Sequence, residues 1–369
     1  MKERIYLASP HMSDEGYEME FIKEAFDTNW IAPFGANLDG FEKELCDYTG
    51  AENAVALNSG AAALHFALKL AGVKEGDIVF CQSLTYVATA NAILYDKAIP
   101  VFIDSDYESW NISPEYLEEA FKKYPNVKAV MVVHIYGMSA KMDEIRALCN
   151  KYNVPLIEDA AESLGTTYKG KQTGTLSDYG VYSFNGNKII TTSTGGMLVS
   201  DNKEGLARAK RWSIQAKDEA RYFQHSEVGY TYRMSNILAG IGRGQLKVLD
   251  QRVQKKKYIY NYYKNALKDI KDISFMPMND WQDSNCWLTS IQLKGNVKPL
   301  DIMLALEEDN IESRLAWKPM HLQPVFDGYD FVGSEVSETL FKNGICLPSD
   351  TKLTDEQLDR IINIVKGLW

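Results

Sequence analysis

From about residue 53 onward, short apolar runs alternate with segments whose apolar positions recur every three or four residues. Residues 54–57, 78–81, 101–104, 129–134 and 154–159 predict strands, and residues 61–70, 87–94, 113–121 and 142–151 predict the helices between them. Ser113-Pro114 supplies an N-cap and a proline at the first helical position. Short continuous apolar runs separated by helices imply a largely parallel sheet covered on both faces. Ligands gather at the carboxyl ends of strands in such sheets. Asn58-Ser59-Gly60, the 83–86 segment, His134 and Asp159 all fall there.

Ahead of this alternation, Ser13 can cap a helix whose apolar face is Met19, Ile22 and Phe26. Leu38, Phe41, Leu45 and Tyr48 mark a second helix, which Gly50 closes. After about residue 240 the pattern changes. Residues 237–263 predict one long helix, rich in Lys and Arg after Lys247, followed by short strands near 287–293 and helices at 300–309 and 355–368. The expected architecture is α/β. A large domain spans 36–245, a smaller α+β domain spans 246–369, and an N-terminal segment, 1–35, packs on the smaller one.

Composition narrows the function classes. A net charge of −10 disfavours a general nucleic-acid binder, though a local basic pocket for phosphates is compatible with it. Five scattered cysteines without a C-x-x-C pair fit reduced thiols better than a disulfide framework or a zinc site, so no metal is expected. The N-terminus lacks a signal-peptide run and no stretch is long enough to span a membrane. A soluble, cytoplasmic protein is expected.

The chemistry concentrates between residues 157 and 200. Asp159 follows the apolar run Val154-Pro155-Leu156-Ile157, and Lys188 lies 29 residues later in a loop between apolar strands, ahead of Gly195-Gly196. A strand-end acid, a loop lysine and a Gly-Gly pair suit pyridoxal 5'-phosphate (PLP). The lysine forms an imine with the cofactor aldehyde, while the acid keeps the pyridine nitrogen protonated. Glu158 and Asp159 are adjacent acids after a buried strand, where burial is costly without a cation. Glu162, three residues on, is near enough to reach the ring hydroxyl. Asp159 could otherwise merely cap the next segment, and Lys188 could be an ordinary loop lysine, but the latter would not need apolar strands on both sides. Ser59-Gly60-Ala61-Ala62, where a strand turns into a helix, makes a phosphate cradle or a plain βα turn. Tyr86 could cover the pyridine face or simply pack. The run of residues 312–321 mixes cations with an aromatic, as a nucleotide diphosphate and a ring would need. Gly240-Ile241-Gly242-Arg243-Gly244 is not a dinucleotide fingerprint, because it lies within a helical pattern.

With N-W-I-A-P (29–33), A-E-S-L-G (161–165), S-F-N-G-N-K-I-I-T-T (183–192) and W-K-P-M-H (317–321), the chain resembles the DegT/DnrJ/EryC1/StrS sugar aminotransferases from end to end. The resemblance implies the type I, aspartate-aminotransferase-like PLP fold. It is nearest to the branch that aminates C4 of UDP-4-keto-6-deoxy-N-acetylglucosamine on the route to bacillosamine-type sugars. It implies Lys188 as cofactor lysine and general base, Asp159 on the pyridine nitrogen, Glu162 on the ring hydroxyl and Tyr86 over the ring. Ser183 and the backbone at Gly60 and Ala61, beside Ser59, would hold the phosphate. Asn29, Trp30, Ile31, Ala32, Tyr182, Asn187, Arg314, Lys318 and His321 match positions lining the nucleotide-sugar site. Residues 229–236, with Thr231 on the cofactor side and Arg233 on the substrate side, match a loop entering a partner's active site, which implies a homodimer with shared sites. Ala61, Ser193-Thr194, Thr231 and Leu315 depart from the family pattern.

The reaction so implied takes an amino group from L-glutamate, through pyridoxamine phosphate, to a keto-sugar. Lys188 argues against a pyridoxamine-dependent dehydratase, which would lack it. A non-catalytic PLP-binding regulator should carry a basic or DNA-binding appendage, and this acidic chain has no spare segment for one. An aminotransferase acting on a C3-keto sugar, or on a dTDP- or GDP-linked one, is the nearest alternative.

Overall fold

The structure, a computed structural model, describes residues 3–369. Its centre is an eight-stranded sheet of β1 (Asn53–Leu57), β2 (Ile78–Gln82), β3 (Ile99–Ile103), β4 (Val127–Val133), β5 (Leu156–Asp159), β8 (Tyr179–Ser183), β9 (Gly196–Ser200) and β14 (Phe331–Val332). The spatial order is β1-β9-β8-β5-β4-β2-β3-β14. Every strand but β9 runs the same way, and β9 lies antiparallel between β1 and β8. Helices α3 (Gly60–Leu70), α4 (Val87–Tyr95), α5 (Pro114–Lys123) and α6 (Met142–Tyr152) connect β1 to β5 in turn, and α7 (Lys203–Trp212) follows β9. The strand interiors are almost fully buried, which is why they read as unbroken apolar runs. The expected α/β class, with its mostly parallel sheet, is what the chain adopts.

A four-stranded antiparallel sheet, β10-β12-β15-β13, is built from β10 (Ile273–Phe275), β12 (Thr289–Leu293), β13 (Arg314–Leu315) and β15 (Gly344–Leu347). It packs with α9 (Leu249–Leu267), α10 (Pro299–Glu308) and α12 (Asp355–Lys366) around Ile259, Tyr263, Ile291, Ile345 and Ile361. A small ribbon joins β6 (Thr167–Tyr168) and β7 (Lys171–Gln172) to β11 (Gln282–Asp283).

Three expectations need correcting. First, the helix expected over 237–263 is two: α8 (Asn236–Leu246) and α9, separated at Lys247-Val248. The break lets α8 lie on α1 (Tyr17–Asp27) and α2 (Ala36–Thr49) while α9 packs on α12. Second, α1 starts after Gly16, with Ser13 Oγ accepting the Tyr17 N–H at 3.0 Å. Its Met19 and Phe26 face outward, 63% and 58% exposed, while Glu18 and Ala25 are buried. The glycines of α8 explain the rotation. A methyl at Gly244 would meet the Glu18 backbone, one at Gly240 would meet Phe21, and one at Gly242 the Phe41 ring. The run from Gly240 to Gly244 is thus a close-packing stripe. Third, the chain crosses the expected 245/246 boundary. Strand β14 adds to the edge of the large sheet beside β3, because the Asp104 carboxylate at the end of β3 accepts N–H bonds from Ser334, Val336 and Ser337 at the start of α11 (Val336–Asn343). The N-terminal segment also divides. Ile5 bridges to Ile311 and Ser9 bonds Asp350, yet α1 lies on α8.

Candidate active site

The carboxyl ends of β1, β5 and β8 open onto one cavity of about 260 Å³. At its base β1 turns into α3, and Ser59 Oγ caps that helix by accepting the Ala62 N–H at 3.1 Å. The first-turn N–H groups of Gly60 and Ala61 have no intrahelical acceptor and line the cavity together with Ser183 and Thr194. The approach is tight, because a methyl at Gly196 of β9 would run into the backbone of Ser59 and Gly60.

The adjacent acids of β5 part across the sheet. Asp159 faces the cavity, where its Oδ2 accepts the Thr89 hydroxyl at 2.7 Å and its Oδ1 the Ala161 N–H at 3.1 Å. Burial pushes its carboxyl above the usual range, against the pull of those bonds and of Lys188. Glu158 is fully buried away from the cavity. It accepts from Gly174 N and Leu176 N and pairs with His134 Nε2 at 2.8 Å. His134 Nδ1 accepts the Ala140 N–H at 3.1 Å, so the imidazole is committed to the structure. Glu162 Oε2 accepts the Tyr136 N–H at 2.7 Å, and burial pushes this carboxyl to about 7, opposed by Lys188.

Lys188 lies across the cavity with a side chain only 12% exposed. Its Nζ is 3.8 Å from Glu162 Oε1 and 4.4 Å from the centre of the Trp287 ring. Trp317 and Tyr86 form the outer wall, their rings 5.6 Å apart. A lysine, two desolvated carboxyl groups and a helix N-terminus thus meet in a single cleft. Such a set can hold a phosphate, neutralise a cationic ring and move a proton.

The chain matches the model of the DegT/DnrJ/EryC1/StrS aminotransferase family over residues 13–366. It belongs to that family. EpsN of Bacillus subtilis (strain 168), whose own assignment as a PLP-dependent aminotransferase is provisional, is 52% identical over all of this chain and 97% of its own length. The GDP-perosamine synthase of Caulobacter vibrioides is 34% identical over 97% of this chain and 96% of its own. A UDP-4-amino-4,6-dideoxy-N-acetyl-beta-L-altrosamine transaminase of Campylobacter jejuni is 38% identical over 70% of this chain and 69% of its own. Among solved structures, a DegT DnrJ EryC1 StrS aminotransferase from Brucella abortus superposes with a TM-score of 0.89 at 27% identity, covering 96% of this chain and 95% of that one.

As a DegT-family aminotransferase the chain uses PLP, and the residues present fit that group. The free N–H groups of Gly60 and Ala61 beside the Ser183 hydroxyl suit a phosphate. The buried Asp159 carboxyl forms no ion pair among the described residues and suits the cation that a protonated pyridine would provide. Of the residues expected at the site, Ser59, Gly60, Ala61, Tyr86, Asp159, Glu162, Ser183, Asn187 and Lys188 line the cavity.

The others lie outside it. Tyr182 is fully buried in the core, its hydroxyl donating to the Thr173 carbonyl at 2.6 Å, because successive residues of β8 face opposite sides of the sheet. Arg233 is buried in an ion pair with Glu42 and donates to the Ala56 carbonyl at 3.0 Å, so its guanidinium serves the protein's own carboxylate. Thr231 is exposed, its Oγ1 accepting from Gln215 Nε2 at 2.6 Å. Asn29, Trp30, Ile31 and Ala32 are exposed, with the Trp30 and Ala32 carbonyls held by Asn236. Arg314 pairs with Glu312 at 2.6 Å, Lys318 is half-buried, and His321 Nδ1 is 2.7 Å from Ser83 Oγ with its ring stacked on Phe331. Three residues that the sequence reading passed over act at the site: Thr89 on Asp159, Tyr136 through its backbone on Glu162, and Trp287 on Lys188. Thr89, one turn beyond Tyr86, and Tyr136, two residues beyond His134 just past the end of β4, are legible from their spacing. Trp287 arrives by tertiary crossing.

Proposed function

We propose that this sugar aminotransferase moves the amino group of L-glutamate to C4 of a nucleotide-linked 4-keto-6-deoxy sugar, with UDP-4-keto-6-deoxy-N-acetylglucosamine as acceptor. The observation that carries the reading is the meeting of Lys188, Asp159 and Glu162 above the cradle at Gly60 and Ala61. Bound PLP supplies an aldehyde that accepts amines and a ring that accepts electrons. Lys188 Nζ takes the α-proton of the donor and returns a proton to the acceptor carbon from one face, a role worth on the order of 10² to 10⁴ in rate. Asp159 holds the proton on the pyridine nitrogen, and Thr89 and the Ala161 N–H orient its carboxylate for that task. Glu162 would hold the ring hydroxyl, and the Trp317–Tyr86 wall would bound the cofactor on its outer side. Arg314, Lys318 and His321 receive the nucleotide sugar.

The UDP reading draws on the stretches 29–33, 161–165, 183–192 and 317–321 together and on the similarity to the altrosamine transaminase. The similarity to the GDP-perosamine synthase, aligned over nearly the whole chain, favours a GDP-linked sugar instead. Incubation of PLP-loaded protein with glutamate and UDP-, GDP- and dTDP-linked keto-sugars, with mass spectrometry and NMR of the products, separates them. Fastest amination of the UDP-linked acetamido sugar at C4 supports the proposal, whereas preference for the GDP-linked sugar or amination at C3 overturns it. We further propose a homodimer in which the 229–236 loop, exposed at Thr231, enters the partner's site. Light scattering giving a monomer mass would exclude it.

A further inference from the structure

Lys188 Nζ makes no hydrogen bond among the described residues. Its near neighbours are Glu162 Oε1 at 3.8 Å and the face of the Trp287 ring at 4.4 Å. The tryptophan is fixed at each of its polar groups. Its N–H donates to Asn285 Oδ1 at 2.9 Å, its carbonyl accepts from the buried Lys256 Nζ at 2.9 Å, and its indole Nε1–H donates to the Asn187 carbonyl at 2.9 Å. Asn285 in turn donates to the Glu162 and Leu164 carbonyls, each at 2.9 Å. Cys286, between the two, has a left-handed backbone with φ of 52°, a strained conformation for a residue with a side chain. Strain beside three saturated hydrogen-bonding groups marks a residue whose place is over-determined, and what it is placed against is the lysine and the carbonyl next to it.

We propose that Trp287 is a positioning residue for Lys188. Its indole N–H fixes the loop at Asn187, and its ring face attracts the ammonium, so the free lysine is held beside Glu162 rather than swinging to solvent. The inference rests on Lys188 being the residue that captures the cofactor, and the test keeps the two apart. Cofactor-free protein is mixed with PLP and covalent capture is followed by absorbance. Affinity for pyridoxamine phosphate, which cannot be captured by a lysine, is measured in parallel. Trp287→Leu should slow capture about tenfold, equivalent to about 1.4 kcal/mol, with pyridoxamine phosphate affinity within about twofold of native. Trp287→Phe, which keeps a ring and loses the N–H, should fall between the two. Native capture by Trp287→Leu, or an equal loss in both measurements, overturns the proposal. If the Leu protein does not fold, capture by Trp287→Phe slower than native by more than about tenfold overturns the part given to the ring. Lys188→Ala is the control: if it still captures PLP, the lysine assignment fails, whatever Trp287 does.

Discussion

The inner and outer sides of the cavity are built by different means. On the inner side, Asp159, Glu162, Ser183 and the Ser59–Gly60 turn sit at or just beyond the ends of β1, β5 and β8, and the two carboxyl groups are buried and hydrogen-bonded. On the outer side the wall is formed by Tyr86 and Trp317, and beyond the cavity Arg314 is largely exposed and tied to Glu312. A rigid sheet fixes groups that must hold one cofactor in every turnover. Loops carry groups that must admit and release a large substrate. Damage on the inner side should therefore strike the chemistry, and damage on the outer side should strike binding.

Lys188→Ala should have the largest effect. Turnover should fall to background while the thermal unfolding profile keeps its cooperative form, because Lys188 Nζ makes no hydrogen bond among the described residues and only approaches Glu162 at 3.8 Å. Asp159→Asn should follow, with PLP retained and the single-turnover rate with glutamate reduced on the order of 10² or more, since an amide cannot hold the pyridine proton. Near-native rates would reduce Asp159 to a cap for the Ala161 turn.

Glu162 gives a pH signature of the inner side. Its carboxyl rises from 4.5 to about 7 in the fold, so between those values the folded, cofactor-free protein holds a proton that the unfolded chain has lost. Stability attributable to this group is therefore greatest at low pH and declines as pH rises from 4.5 to 7, by on the order of 3 kcal/mol. Denaturant unfolding at pH 5 and pH 7.5 should show that decline in the native protein and a shallower one in Glu162→Gln; parallel slopes would refute the assignment.

Arg314→Ala probes the outer side. The exposed pair with Glu312 must open before the guanidinium meets a phosphate, which places the loss near the low end of the usual range, about 2 kcal/mol, in KM for the nucleotide sugar. The glutamate half-reaction should be unchanged; equal damage to both halves would assign Arg314 to the donor carboxylate or to the fold. The smallest effect is expected from Ser59→Ala, about 1 kcal/mol of stability from the lost helix cap, read as a lowered unfolding midpoint.

The same division explains what could be read from the chain. Asp159, Lys188 and the Ser59–Gly60 turn were legible because apolar runs bracket them and strand ends are where such sheets hold ligands. Tyr182 matches a family site position, yet the alternation of β8 turns it into the core, on the opposite side from Ser183. Arg233 was misread because nothing local reveals that Glu42, 191 residues earlier, would claim it. Met19 and Phe26 were assigned inward by their spacing, and the α8 glycines instead drew the Glu18 side of α1 into close packing. Trp287 lies 99 residues beyond Lys188, on a turn whose strained Cys286 carries no sequence mark. Local pattern fixes what a segment becomes; which distant side chain meets it depends on crossings that pattern does not encode.

On the proposed reading the inner side of the cavity captures PLP through Lys188. The most direct test is borohydride reduction of the PLP-loaded native protein followed by proteolysis and mass spectrometry of the modified peptide. One phosphopyridoxyl group on Lys188, absent when pyridoxamine phosphate replaces PLP, is the result expected. A group fixed instead at Lys169 or Lys171, or spread over surface lysines with Lys188 unmodified, would contradict it.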